Sequence, residues 1–167
     1  MEPGRSSRLC VILARTSVST IATVGEHDVR VAGFEGLDPR SAYRLWQLRQ
    51  AVFVVEQECP YADLDGRDLE PGTRHLWVDD ESEPVGYLRM LEDGDGWRIG
   101  RVLVARSHRG RGIAEALVRA ALEVGGPGPY RLDAQSYLTG WYARFGFEPS
   151  GPEFVEDGIP HVPMRRG

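Results

Sequence analysis

The run Arg109-Gly110-Arg111-Gly112-Ile113-Ala114 lies between an apolar, strand-like stretch over residues 97–105 and a helical stretch that continues to about residue 123. A strand that turns through two glycines into a helix limits the chain to architectures with an α/β unit. It also points to one kind of ligand. Glycines let the backbone turn tightly and approach an anion, and the following helix aims unpaired N–H groups and its positive dipole end at the same place. Arg106, His108, Arg109 and Arg111 surround the turn, and the only acid between Arg106 and Arg119 is Glu115, on the helix itself. The segment predicts a pyrophosphate cradle. A Rossmann fingerprint would need a small residue three places after Gly112, where Glu115 stands, and a P-loop would need a lysine, which the chain lacks.

The pattern Arg109, Gly112, Ala114 after Val102-Leu103-Val104 resembles the R/Q-x-x-G-x-G/A signature of the GNAT N-acetyltransferase superfamily. Ser136-Tyr137-Leu138-Thr139-Gly140-Trp141-Tyr142-Ala143-Arg144-Phe145-Gly146-Phe147 resembles its second signature, a helix with an aromatic-Tyr pair that ends in a Gly-Phe turn. The segment from Leu48 to Tyr61, Asp65-Gly66-Arg67-Asp68 and Glu156-Asp157-Gly158-Ile159-Pro160-His161 are similar to the ElaA branch of that superfamily. The resemblance spans nearly all of residues 29–164. It implies an α/β (α+β) fold with a mixed, largely antiparallel sheet flanked by helices and split between its fourth and fifth strands.

A chain of 167 residues that is 41% hydrophobic can bury one core, so a single domain over residues 27–167 is expected, after an N-terminal extension over residues 1–26 without legible chemistry. All 20 basic residues are Arg, and Lys and Asn are both absent, which suits a GC-rich, bacterial genome. The small cationic cluster around Arg109 gives no broad basic face, so nucleic acid is not expected as a partner. No apolar run reaches the roughly 18 residues of a membrane span. Cys10 and Cys59 suggest neither a disulfide framework nor a metal site, in keeping with a cytoplasmic protein, monomeric or homodimeric. The acid-rich stretch over residues 56–83 reads either as solvated loops or as a lip that attracts an amine.

Asp38 and Pro39 supply a helix N-cap and first turn, and Leu45, Leu48, Val52 and Val55 recur at helical spacing to about Glu56. A strand over residues 29–34 precedes this helix. Strands over residues 74–78, 85–91 and 97–105, separated by turn sequences, form an antiparallel meander. The helix from Gly112 presents Ile113, Ala114, Leu117, Ala121 and Val124 to a core. A strand over 130–135, a helix over 137–145 and an extended piece over 161–165 complete the chain.

The resemblance implies acetyl-CoA as co-substrate, with Val102, Leu103 and Val104 alongside the pantetheine arm and Arg109, Gly110, Arg111, Gly112, Ile113 and Ala114 around the pyrophosphate. The chemistry is acetyl transfer to the primary amine of an acceptor by direct attack, without a metal; the alternative is a non-catalytic acyl-CoA sensor. Transfer needs a neutral amine, a donor for the developing oxyanion and a proton for the thiolate. A backbone N–H near Val104 is implied as the oxyanion donor, and Tyr142 as the acid. Glu56 is a candidate base, and Asp65 and His75 are candidates to face the substrate. His161 suits core hydrogen bonding or substrate contact, and Cys59 is given no catalytic role.

Overall fold

A computed structural model describes residues 20–167 of the chain. Its nine strands are β1 (Thr20–Val24), β2 (His27–Ala32), β3 (Arg74–Asp80), β4 (Glu83–Asp93), β5 (Gly96–Val104), β6 (Tyr130–Gln135), β7 (Glu148–Pro149), β8 (Phe154–Glu156) and β9 (Ile159–Arg166). They form one sheet in the order β1-β2-β3-β4-β5-β6-β9-β7, with β8 also on β9. The expected meander is β3-β4-β5, antiparallel throughout. The junction of β5 and β6 is parallel and holds at only two positions, Trp97 with Tyr130 and Arg98 with Arg131. Beyond Arg98 the two strands part, and this is the expected split.

The N-terminal boundary needs correcting. Residues 1–19, including Cys10, lie outside the described residues, but Thr20–Val24 is a strand within the segment read as an extension. It pairs antiparallel with β2 across the Gly25-Glu26 turn, and Thr23 Oγ1 donates to Asp28 Oδ1 at 2.7 Å. Two β-branched threonines with Ile21 and Val24 are ordinary strand chemistry.

Helices cover both faces of the sheet. Asp38 caps α1 (Pro39–Arg49) by accepting from the backbone N–H groups of Arg40 and Ser41, each at 3.0 Å. The helix then widens into a π-helical stretch, Gln50–Glu56. The wider turn rotates the apolar stripe off register: Val52 is buried, but Val55, expected on the core face, is 66% exposed. Leu45 and Val52 pack with Ala32, Trp77, Tyr87 and Leu103 on one face of the sheet.

On the other face, α2 (Ile113–Gly125) buries Ile113, Ala116, Leu117, Val118, Ala120 and Ala121 against Val29, Leu76, Leu88 and Met90. Val124, expected in the core, is 38% exposed because the helix ends one residue later at Gly125-Gly126. Contact with the sheet is close at Gly86, where a Cβ would stand 2.4 Å from Ile113 Cγ2. Helix α3 (Thr139–Ala143), which follows a 3-10 turn at Ser136–Leu138, adds Tyr142 to the same cluster. With helices on both sides, residues 85–91 of β4 are buried without alternation.

Candidate active site

The parting of β5 and β6 opens a cleft of about 920 Å³. Val102, Leu103, Val104 and Arg109 line it, as do Tyr142 from α3, Glu56 and Gln57 from the end of the π-helical stretch, Asp65, and the β8–β9 residues Glu156, Asp157 and His161. Thus the structure brings Glu56, Asp65, Val102, Leu103, Val104, Arg109 and Tyr142 together; Gly110, Arg111, Gly112, Ile113 and Ala114 follow Arg109 in the chain without lining the cleft, and His75 lies away from it.

The glycine turn has open, unpartnered backbone. Gly110 and Gly112 have φ of +76° and +77°, a conformation that suits glycine. Gly112 is also the N-cap of α2, and no side chain caps the first turn. The first backbone bond of the turn runs from Ala116 N–H to the Gly112 carbonyl, so the N–H groups just before it have no helix partner. The space above is open, since a Cβ on Gly110 would meet nothing within 4 Å. These features fit a pyrophosphate. One support went unread in the sequence: His27 Nε2 donates to the Arg111 carbonyl at 2.7 Å, tying the turn to the start of β2.

Strand β5 carries a bulge beside the cleft. Between the pairs Tyr87–Leu103 and Arg89–Gly100, β4 has one residue and β5 has two, Arg101 and Val102. Arg101 takes up the extra residue at φ +54°. Bulges re-aim side chains, and here Arg101 reaches Asp63 at 2.7 Å and Asp65 at 3.5 Å, with its guanidinium 5.4 Å from the centre of the Tyr61 ring.

Arg101 belongs to a larger ionic cluster. Fully buried Arg49 binds Asp63 at 2.8 Å and Asp68 at 2.7 Å, and Arg89 binds Asp65 through two contacts of 2.8 Å and Asp68 at 3.0 Å. Three arginines therefore neutralise three aspartates, while Glu70 pairs with Arg67 at 2.9 Å. This corrects both readings of the acid-rich loop for Asp63, Asp65 and Asp68, which are neither a solvated face nor an amine-attracting lip but the clamp that fastens the loop to α1 and the sheet, while Glu70 stays in a half-exposed pair within the loop. The legible sign was Arg49 itself, four residues after Leu45 on an apolar helix stripe.

The pairing also settles the state of the candidate polar residues. Burial, the largest single influence, would raise the Asp65 carboxyl, but the hydrogen bond and charge of Arg89, the Arg67 backbone N–H and the charge of Arg101 together outweigh it and lower the pKa to about 2. Asp65 lines the cleft as a committed partner of Arg89. His75 is wholly buried away from the cleft: Tyr87 Oη donates to its Nδ1 at 2.7 Å, and its Nε2 donates to the Asp68 carbonyl at 3.1 Å. Burial lowers its pKa to about 4, so it is neutral at pH 7. The expectation that His75 faces the substrate is wrong, because its strand position turns it into the packing layer with Trp46.

Glu56 is not a free base either. Its two carboxylate oxygens accept from Arg109 at 2.7 and 3.0 Å, and that hydrogen bond holds its carboxyl below the usual range. Arg109 Nε also donates to the Val104 carbonyl at 3.1 Å. His161 Nδ1 donates to the Ile159 carbonyl at 2.8 Å and its ring stacks on Phe154, so it is fixed while still lining the cleft. Cys59 also lines the cleft, and its thiol lies 3.9 Å from the Asp157 carbonyl.

Tyr142 is 6% exposed, between Trp141 and Phe147. Burial pushes its phenol pKa up, so the hydroxyl keeps its proton. Among the described residues Arg89 Nε is the one fully enclosed side-chain nitrogen or oxygen without a partner. Tyr142 Oη, which has no protein partner there, is therefore not sealed in and meets the cleft.

Residues 40–166 match a family model described as an acetyltransferase (GNAT) domain. A UPF0039 protein of Mycobacterium tuberculosis is 50% identical over 135 residues, spanning 78% of this chain and 86% of its own. Protein ElaA of Escherichia coli is 44% identical over 133 residues, spanning 74% of this chain and 86% of its own. The ElaA crystal structure superposes with a TM-score of 0.80 over 84% of this chain and 99% of that one, at 37% identity. The crystal structure of an acyl-CoA N-acyltransferase from Pseudomonas aeruginosa gives the same TM-score over 85% of this chain and 100% of that one, at 36% identity.

Proposed function

Because the chain belongs to the GNAT acetyltransferase family and is similar to ElaA, we propose that it transfers an acetyl group from acetyl-CoA to the primary amine of an acceptor, by direct attack in a ternary complex. The observation that carries this reading is the continuity of one cleft. It runs from Arg109, at the glycine turn, along the β5 edge that β6 leaves unpaired, to the phenol of Tyr142.

Each part has a task in that reaction. The N–H groups ahead of α2 and the open space over Gly110 hold the pyrophosphate. The β5 backbone from Ile99 to Val104 pairs with the extended pantetheine arm, and a β5 N–H near Val104 donates to the thioester oxygen as it becomes an oxyanion. The acceptor nitrogen, after giving up its ammonium proton, forms a bond to the carbonyl carbon, and the carbon–sulfur bond breaks. Tyr142 Oη gives its proton to the departing thiolate and is reprotonated by the proton the new amide nitrogen releases. The products are an N-acetyl amine, CoA thiol and one proton. Asp65 and His75 take no part. The proposed domain is the region from β2 onward, with the β1 hairpin strand joined to it.

Calorimetry with CoA, acetyl-CoA and NAD, followed by thiol release across a panel of amines, tests this reading. Binding of CoA and acetyl-CoA with thiol release for some amine is expected. CoA binding without thiol release on any amine would favour an acyl-CoA sensor, and absence of CoA binding would overturn the proposal.

A further inference from the structure

Every guanidinium that lines the cleft already has a carboxylate. Arg89 and Arg101 are held in the ionic cluster, with side chains 4% and 23% exposed; Arg98 bridges Asp93 and Asp133, and Arg67 holds Glu70. Arg109 differs in two respects. At 45% exposure it is the most open of the five, and it alone belongs to the glycine turn. Its partner Glu56 is brought from the far wall, so the pair is a strut between the end of the π-helical stretch and the start of the cradle. A guanidinium fork accepts a carboxylate or a phosphate in the same two-toothed fashion. It cannot give the same N–H groups to both, and two anions side by side on one exposed cation repel each other.

We propose that Arg109 changes partners: it holds Glu56 in the free protein and a phosphate of acyl-CoA in the complex, so that cofactor binding releases the Glu56 carboxylate to hold the ammonium group of the acceptor. This rests on the acyl-CoA reading above and adds an order of binding to it. Before the cofactor arrives, Glu56 is occupied and an incoming cation would have to compete with a tethered arginine. Afterwards the carboxylate stands free in the cleft wall beside Val104. The strut is easily exchanged, because an exposed ion pair adds little stability and is screened by salt. The lowered pKa of Glu56, whose first cause is the Arg109 hydrogen bond, is consistent with a carboxylate that changes character when that partner leaves.

The test is calorimetric titration of the whole protein with CoA, comparing wild type with Glu56→Gln and Glu56→Asp. If Glu56 competes for Arg109, Glu56→Gln binds CoA about 3- to 10-fold more tightly than wild type, and Glu56→Asp, one methylene short, falls between. Equal or weaker binding by Glu56→Gln, in a variant that melts like wild type, would overturn the exchange. Should Glu56→Gln fail to fold, the comparison of Glu56→Asp with wild type decides alone. With any amine that turns over, Glu56→Gln should then raise the amine KM at least 10-fold at saturating acetyl-CoA, and an unchanged KM would overturn the role given to the freed carboxylate. A wild-type protein that does not bind CoA would instead refute the functional reading itself, which separates the two failures.

Discussion

His27 Nε2 and the Arg111 carbonyl, 2.7 Å apart, join the first hairpin of the sheet to the glycine turn ahead of α2. The bond holds the peptide that leads into Gly112, whose φ is +77°. Removing one hydrogen bond of this kind costs about 1 kcal/mol. His27→Ala should therefore weaken CoA binding by roughly 5-fold, with His27→Gln recovering part of it, while turnover at saturating acetyl-CoA stays the same. Titration of both variants with CoA checks it, and equal affinities would reduce His27 to a surface residue.

Tyr142→Phe retains the ring that packs between Trp141 and Phe147 and removes the hydroxyl that meets the cleft. Turnover should fall by roughly 100-fold, the scale of a positioned proton donor, with acetyl-CoA affinity preserved. Steady-state kinetics beside a thermal melt tell the roles apart. Normal turnover would leave Tyr142 as a core aromatic.

Asp68 accepts from both Arg49 and Arg89 while nearly enclosed. Asp68→Asn strips the charge that balances two buried guanidinium groups, and breaking a buried pair in this way costs about 3–5 kcal/mol. The expected result is a large drop in melting temperature. Neutralising Asp65 and Asp68 together should act through stability in the same manner, and an amine KM that changed in a fully stable variant would contradict the clamp.

His75 has a folded pKa of about 4, well below the ordinary histidine value of 6.5. The unfolded chain therefore binds the extra proton first, and stability present above pH 6.5 is lost as pH falls from 6.5 toward 4. The loss should approach about 2–3 kcal/mol, given roughly 1.4 kcal/mol per pKa unit. Asp65, lowered to about 2 from 3.8, acts in the same direction but only below pH 4. Denaturant unfolding at pH 7, 6, 5 and 4.5 measures the first window, and His75→Gln should flatten it at the expense of some baseline stability.

The parts of this site that local chemistry specifies were readable in the chain. Gly110 and Gly112 announce a turn that needs positive φ, Asp38 and Pro39 announce a helix start, and Trp141-Tyr142 before Phe145-Gly146-Phe147 marks the helix at the cleft wall. What escaped reading depends on partners distant in sequence. The role of Glu56 is set by an arginine 53 positions away, and that of Asp63 by Arg49 and Arg101 from two different elements. The bulge at Arg101 has no local marker, since its extra residue exists only relative to β4. His75 is a polar residue on a strand beside the acid-rich loop, which is all the sequence offers, whereas covering on both faces makes every position of that strand's middle a buried one.

Beyond Arg98, β5 turns toward β6 a row of backbone donors and acceptors that no strand of the sheet satisfies. On the outside of a protein such a row is an invitation to aggregate, and chains commonly blunt it with charges, prolines or short strands. Here the adhesive edge lies inside the molecule, walled by Tyr142 and β9 on one side and by the π-helical stretch on the other. A single narrow, extended chain can enter and zip along it, whereas the border of a neighbour's sheet is too broad. By parting its sheet in the middle, the fold keeps its stickiest backbone and excludes the large partners that would otherwise seize it.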